Sequence, residues 1–168
     1  MSPLELRAFR DSDESVALRG EAALATSPAP FLLDYDDSQA FSTWVGKMAA
    51  YERGDVPEDR VRSSFLAACV DGTIVGRLSV RYELNDFLRD FGGHLGYAVL
   101  PEFRRRGYAV EILKAGIALL ASHGISPVLI TIRDDNLASL GVAERCGAVF
   151  ESSVINPKGE RMLRLWLT

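Results

Sequence analysis

"PEFRRRGYA", residues 101–109, joins an apolar run that reads as strand to one that reads as helix. Three consecutive arginines are followed at once by Gly107, Tyr108 and Ala109. A basic patch for nucleic acid, a solvated helix start and a cradle for phosphate all fit that string. The first turn of a helix has unpaired backbone N–H groups and the positive end of the dipole, which together bind anions. Gly107 lets a ligand approach the backbone without a Cβ in the way, and Ala109 is small for the same reason. Arg104, Arg105 and Arg106 add charge-assisted contacts to phosphate oxygens. Cations at a helix start oppose the dipole by about 0.3–1 kcal/mol, a conflict that a bound anion removes. The string lacks the Gly-Lys-Ser/Thr of a Walker A loop and the Gly-x-Gly-x-x-Gly of a dinucleotide fold.

Working outward, Pro101 ends "HLGYAVL" (94–100), a strand, because proline cannot donate to a ladder. Downstream, Ala109, Ile112, Leu113, Ile117 and Leu120 form one apolar stripe, so a helix runs from Arg105 to about Gly124. "VLITI" (128–132) reads as a strand buried on both faces. A short helix over 137–146 ends at Gly147, and 148–155 with 160–168 form a closing antiparallel pair about Asn156–Gly159. Upstream, "LELRAF" (4–9) alternates as a half-buried strand, followed by a helix capped by Asp11 or Ser12. A second helix, 37–54, sets Phe41, Trp44, Val45 and Met48 on one face. Asp71-Gly72 is a hairpin signal between strands at 64–70 and 73–83. The order β-α-α-β-β-β-α-β-α-β-β predicts an α/β protein with a mixed, mostly antiparallel sheet. One splayed parallel pair is joined through the central helix, and helices cover both faces.

Length and composition fit one domain, 1–168: 168 residues, 48% hydrophobic, 25% charged and a formal net charge of −4. This balance argues against a general nucleic-acid binder. The absence of a signal-like start or a membrane-length apolar run predicts a cytoplasmic protein without membrane association. Cys69 and Cys146 read as reduced core thiols, with no metal-ligand spacing and no metal expected.

"GYAVLPEFRRRGYAVEIL" resembles the central motif of the GNAT superfamily of acyl-CoA-dependent N-acyltransferases, Gln/Arg-x-x-Gly-x-Gly/Ala at a strand-to-helix junction. Arg104, Gly107 and Ala109 fill its three positions. "DNLASLGVAERCGAVFE" is similar to the superfamily's next motif through Asn136, Ser139 and Gly147, and the likeness spans about Phe65 to Glu151. A finer similarity is to a branch of uncharacterised bacterial predicted acetyltransferases. The residues that carry it are Arg81, Leu84, Asn85, Gly92, Gly93, His94, Gly96 and Tyr97.

The resemblance implies an N-acetyltransferase that moves an acetyl group from acetyl-CoA, its cosubstrate, to a primary amine by direct attack. A catalytically weak CoA-binding or sensing module is the alternative. The pyrophosphate would lie on the amides of Arg105 to Ala109, including Tyr108, and the pantetheine arm beside Ala98, Val99 and Leu100. A backbone N–H near Val99 would face the oxyanion, while Asn136 and Ser139 would hold the pantetheine or its phosphate. His94 is the first candidate base, then Glu83, with Asp90 weaker. The tyrosine that protonates the leaving thiolate in many members is replaced by Ala143; Tyr97, Tyr108, Ser139 or water remain as substitutes. Asp34, Asp36 and Asp37, beside aromatics, are a candidate lure for a cationic amine on a small molecule or peptide, the alternative being a solvated loop and helix cap. An exposed closing strand is compatible with a homodimer.

Overall fold

The computed structural model describes residues 2–168. Period-two alternation produces β1 (Leu4–Ala8), which leads through a short 3-10 turn, Asp11–Asp13, into α1 (Glu14–Ala23). The cap is neither Asp11 nor Ser12. Asp13 accepts the Arg10 N–H at 2.8 Å while Arg7 grips both its oxygens at 2.7 and 2.9 Å, so the carboxylate ties β1 to the turn. After a proline-rich connection, α2 (Phe41–Arg53) buries Phe41, Trp44 and Met48 and stops at Gly54.

The hairpin of β2 (Ser63–Val70) and β3 (Thr73–Arg81) turns at Asp71 and Gly72, both with positive φ, as a tight two-residue connection requires. One wide helical turn, Leu88–Gly92, then precedes β4 (Leu95–Val99). The central helix α3 (Tyr108–Ser122) starts three residues later than the expected Arg105. Arg105 and Gly107 adopt left-handed backbone, φ 59° and 86°, so all three arginines lie in the turn before the helix. The chain closes with β5 (Val128–Arg133), α4 (Leu137–Arg145), β6 (Val149–Ile155) and β7 (Arg161–Leu167).

Two sheets result, ordered β1-β2-β3-β4 and β5-β7-β6, and every ladder in them is antiparallel. The pair expected to be splayed and parallel is β4 and β5; among the described residues no parallel ladder joins them, and the one bridge between their segments, Gly93 to Ile130, is antiparallel. Because β7 inserts between β5 and β6, the free edge belongs to β6, where Val149, Phe150 and Ile155 are exposed.

β2 is buried on both faces. Leu66 and Ala68 join Leu78, Leu95, Ile112, Leu113 and Ile130 under α3 and α4. Phe65 and Ala67 instead join Phe9, Phe31, Trp44 and Met48 under α1 and α2. Phe9 stacks on Phe65 at 5.8 Å and meets Trp44 edge-on at 5.3 Å, which rigidifies the α1/α2 side. Cys69 and Cys146 are both free thiols.

Candidate active site

Pro101–Phe103 forms a single 3-10 turn, and Arg104 leaves it in extended conformation. Among the described residues the backbone N–H groups of Arg105, Arg106, Gly107, Tyr108 and Ala109 donate to no acceptor. A Cβ on Gly107 would meet nothing within 4 Å, so the space beside Gly107 is open. The arginines are exposed. Arg104 Nε donates to Val99 O at 3.3 Å, and Arg106 lies over the Phe103 ring at 5.6 Å. The junction is thus a run of five free amides fringed by solvated cations, a local arrangement suited to an anion.

The splay point is built from backbone and three side chains, the buried His94 and the half-buried Arg81 and Thr131. His94 N–H donates to Leu129 O at 2.7 Å, and Leu129 N–H donates to His94 Nδ1 at 2.9 Å. Arg81 Nη1 donates to Gly92 O and Gly93 O at 3.0 and 3.3 Å, and Thr131 Oγ1 to Phe91 O at 2.8 Å. Gly93 has φ 64°, and a Cβ there would sit 2.6 Å from Leu129 O, so only glycine lets the strands touch. Burial, helped by the charge of Arg81, holds the His94 imidazole below its ordinary pKa. With Nδ1 accepting from an amide, the neutral ring carries its proton on Nε2 and has no free lone pair. His94 therefore latches the splay point and has no nitrogen with which to take a proton. Glu83 is exposed and does not line the cleft described below, and the same holds for Asp90.

On the other side β4 keeps its ladder. Leu100 N–H donates to Val75 O at 2.9 Å and Arg81 N–H to His94 O at 2.8 Å. The alternation between those ends commits Gly96 and Ala98 to β3 and turns the amides of Leu95, Tyr97 and Val99 toward the opening. Val99 is thus oriented as expected, whereas the amides of Ala98 and Leu100 are already used by β3.

A cleft of about 580 Å³ runs from this opening to the proline-rich loop before α2. Its fork end is lined by Gly96, Tyr97, Thr131, Asn136 and Ser139. Asn136 Oδ1 caps α4 by accepting the Ser139 N–H at 3.2 Å, leaving its amide nitrogen free. Ala143 is fully buried in α4, and no phenol replaces it there. Tyr97 OH is buried next to Ser139 without hydrogen-bond geometry to any partner, and burial raises its pKa.

Arg77, Ser79 and Arg81 form the floor of the cleft, on one face of β3. Arg77 is 5% exposed; its Nε donates to Phe31 O at 3.1 Å and its Nη2 to Pro30 O at 2.6 Å. Burial, then repulsion from Arg81, pushes the Arg77 pKa down to about 10. Burial, then Arg60, brings that of Arg81 to about 10. Both remain charged near neutrality, and neither has a carboxylate partner among the described residues. The available signal was the polar alternation Arg77, Ser79, Arg81 within an apolar strand, "GRLSVR" (76–81).

The acidic loop lies elsewhere. Asp34 pairs with Arg60 at 2.5 Å and accepts from Tyr51 OH at 3.3 Å, and Asp36 caps Ser38. Asp36 and Asp37 line a separate shallow depression with Glu21 and Tyr35. These carboxylates do not meet the cleft, because internal partners and loop direction turn them away. No group of three or more His, Cys, Asp or Glu side chains with metal-binding geometry occurs among the described residues. Among the described residues no helix is long and apolar enough to cross a membrane.

An α/β sheet split at one bridge, with free helix-start amides beside the split, is the architecture of an acyltransferase fold. A model of the acetyltransferase (GNAT) domain matches residues 3–149, and the chain belongs to that family. Solved structures agree on the fold. Mycobacterium smegmatis RimJ in complex with CoA-disulfide has a TM-score of 0.76 at 19% identity, covering 98% of this chain and 81% of that one. RimL, a ribosomal L7/L12 alpha-N-protein acetyltransferase in complex with coenzyme A, gives 0.72 at 18% identity over 100% and 94%. YncA of Salmonella typhimurium, a putative acetyltransferase with its cofactor acetyl-CoA, gives 0.66 at 14% identity over 99% and 94%.

Proposed function

We propose that this chain is an acetyl-CoA-dependent N-acetyltransferase acting on a primary amine. The carrying observation is the conjunction of five unpaired amides, Arg105 to Ala109, with a strand opening whose Val99 N–H faces inward. The residues fit the cosubstrate: the amides and Arg104 to Arg106 suit its pyrophosphate. The Tyr97 N–H offers a strand-like bond to the pantetheine, and Asn136 Nδ2 and Ser139 stand at the mouth of α4. Bound acetyl-CoA would supply an activated thioester carbonyl for attack.

Within that site Val99 N–H can donate to oxygen gaining negative charge. The Tyr97 phenol, kept protonated by burial and lacking a partner, is the proton donor that stands in for the one missing at Ala143. No side chain serves as base: the amine is drawn from its neutral fraction, attacks, and loses its extra proton to water after attack. Release of CoA thiol with an amine panel tests the reading, with Tyr97→Phe expected to lower kcat about 10- to 100-fold at constant acetyl-CoA affinity. Binding of acetyl-CoA without thiol release under any amine would instead support a CoA-sensing module. That second reading is favoured by one observation, the absence of a free base among His94, Glu83 and Asp90.

A further inference from the structure

Five cations line the cleft, Arg60, Arg77, Arg81, Arg133 and Lys158, against two carboxylates, Asp59 and Glu160, in a chain whose net charge is −4. Arg60 is paired with Asp34, and Arg133 with Asp135 and Glu160. Among the described residues the cations left without counter-ions are the exposed Lys158, the buried Arg77 and the half-buried Arg81.

The free donors of the two arginines converge. Arg77 Nη1 and Arg81 Nη2 have no protein acceptor among the described residues. A Cβ built on Gly96 would lie 3.6 Å from Arg81 Nη2 and 3.9 Å from Arg77 Nη1, so both guanidinium edges overlook the gap that this glycine leaves. Ser79, opposite Gly96 in the ladder and between the arginines on β3, has a buried hydroxyl with no partner. Burying two like charges together without an anion is costly, and a planar acceptor spanning both edges removes that cost.

Resting on the acetyltransferase reading above, we propose that Arg77, Arg81 and Ser79 form a carboxylate subsite, and that the amine acceptor carries its own carboxylate group. Two guanidinium edges and one hydroxyl match the two oxygens of a carboxylate. A carboxylate reaching them could belong to the acceptor or to the acyl group of a dicarboxylic acyl-CoA. The acceptor is favoured by position, because Arg77 is anchored to Pro30 and Phe31 and the cations continue to Arg60, on the side away from the fork.

The test compares amino acids, ω-amino acids and acidic dipeptides with their amides as acceptors for acetyl-CoA. The free acids should show kcat/KM at least tenfold higher, although amidation lowers the amine pKa and by itself favours the amide. That ratio should fall toward one in Arg77→Met and in Gly96→Ala, whose methyl fits in ordinary contact and covers the guanidinium edges without removing them. Calorimetry with glutarate reads the subsite without turnover: binding to the wild type that is lost in both variants supports it even where no amine is acetylated, and only the enzyme reading then falls. Equal rates for acids and amides, with no glutarate binding, overturn the subsite. Preference for succinyl-CoA over acetyl-CoA that disappears in Arg77→Met, with no acid preference among acceptors, overturns its assignment to the acceptor.

Discussion

Two groups of arginines sit on either side of the same strand opening, and they differ in what holds them. Arg104, Arg105 and Arg106 are consecutive and exposed, and the features beside them that suit an anion are backbone amides. Arg77 and Arg81 are four residues apart on β3, enclosed in the fold, and each is bound to backbone carbonyls of another segment. Charge clustering in sequence marks the first group and hides the second. Burial reverses their weight, because a cation in water interacts weakly while an enclosed one shapes both the fold and the chemistry around it.

Arg81→Met gives the sharpest contrast. Two carbonyls at the splay point lose a charged donor, so the loss should reach about 3 kcal/mol, less whatever relief Arg77 gains from the vanished repulsion. Denaturant unfolding reads this directly. A change below about 0.5 kcal/mol would put Arg81 in the same class as the exposed trio.

Gly107→Val acts on the exposed side without touching a charge. Its branched side chain would occupy the open space at that position, and acetyl-CoA affinity should fall about 100-fold, equivalent to about 2.7 kcal/mol. The positive φ of 86° adds about 1–3 kcal/mol of backbone strain, which thermal unfolding measures separately. Unchanged calorimetric affinity would transfer the anion site from the amides to the arginines.

His94→Ala leaves the Leu129 N–H without its acceptor and should destabilise by about 2 kcal/mol. Because burial lowers the folded pKa of His94, the unfolded chain takes up a proton that the folded chain refuses. Stability is therefore complete above the unfolded value of about 6.5 and declines as pH falls below it toward the folded pKa. His94→Asn retains an acceptor for Leu129 and should remove that decline. The rate profile between about pH 6 and 8 should keep its shape in either variant. Flattening there would restore His94 as the base.

Most of the architecture was legible because its signals are local: alternation in β1, the Asp71-Gly72 turn, the stripe of α3. The open helix start was legible for the same reason, through Pro101, Gly107 and Ala109. What stayed hidden depends on which atoms meet across the fold. His94 looked like a base because its type and pKa suit one, yet Leu129, remote in sequence, occupies its lone pair. The Arg81, Gly92, Gly93 and His94 pattern was visible as a string, but its sense as a latch needs Leu129 and Ile130 beside it. Asp34 to Asp37 looked like an amine lure until Arg60 and Ser38 accounted for two of them.

The smallest effect separates charge from amides within the junction itself. Arg105→Gln with Arg106→Gln removes two exposed cations that make no hydrogen bond to protein among the described residues. Each should weaken acetyl-CoA binding by about 0.3–1 kcal/mol, two- to fivefold, if backbone is the main holder of the phosphates in the proposed site. The deficit should shrink as ionic strength rises toward 1 M, where the Debye length falls to about 3 Å. Folding stability should change by less than about 0.5 kcal/mol, or rise slightly, because two cations no longer oppose the α3 dipole. Calorimetry in low and high salt distinguishes the cases. A salt-insensitive loss of 100-fold or more would mean that these side chains, and not the amides of Arg105 to Ala109, carry the phosphate, and the contrast between an exposed backbone cradle and a buried arginine floor would fail.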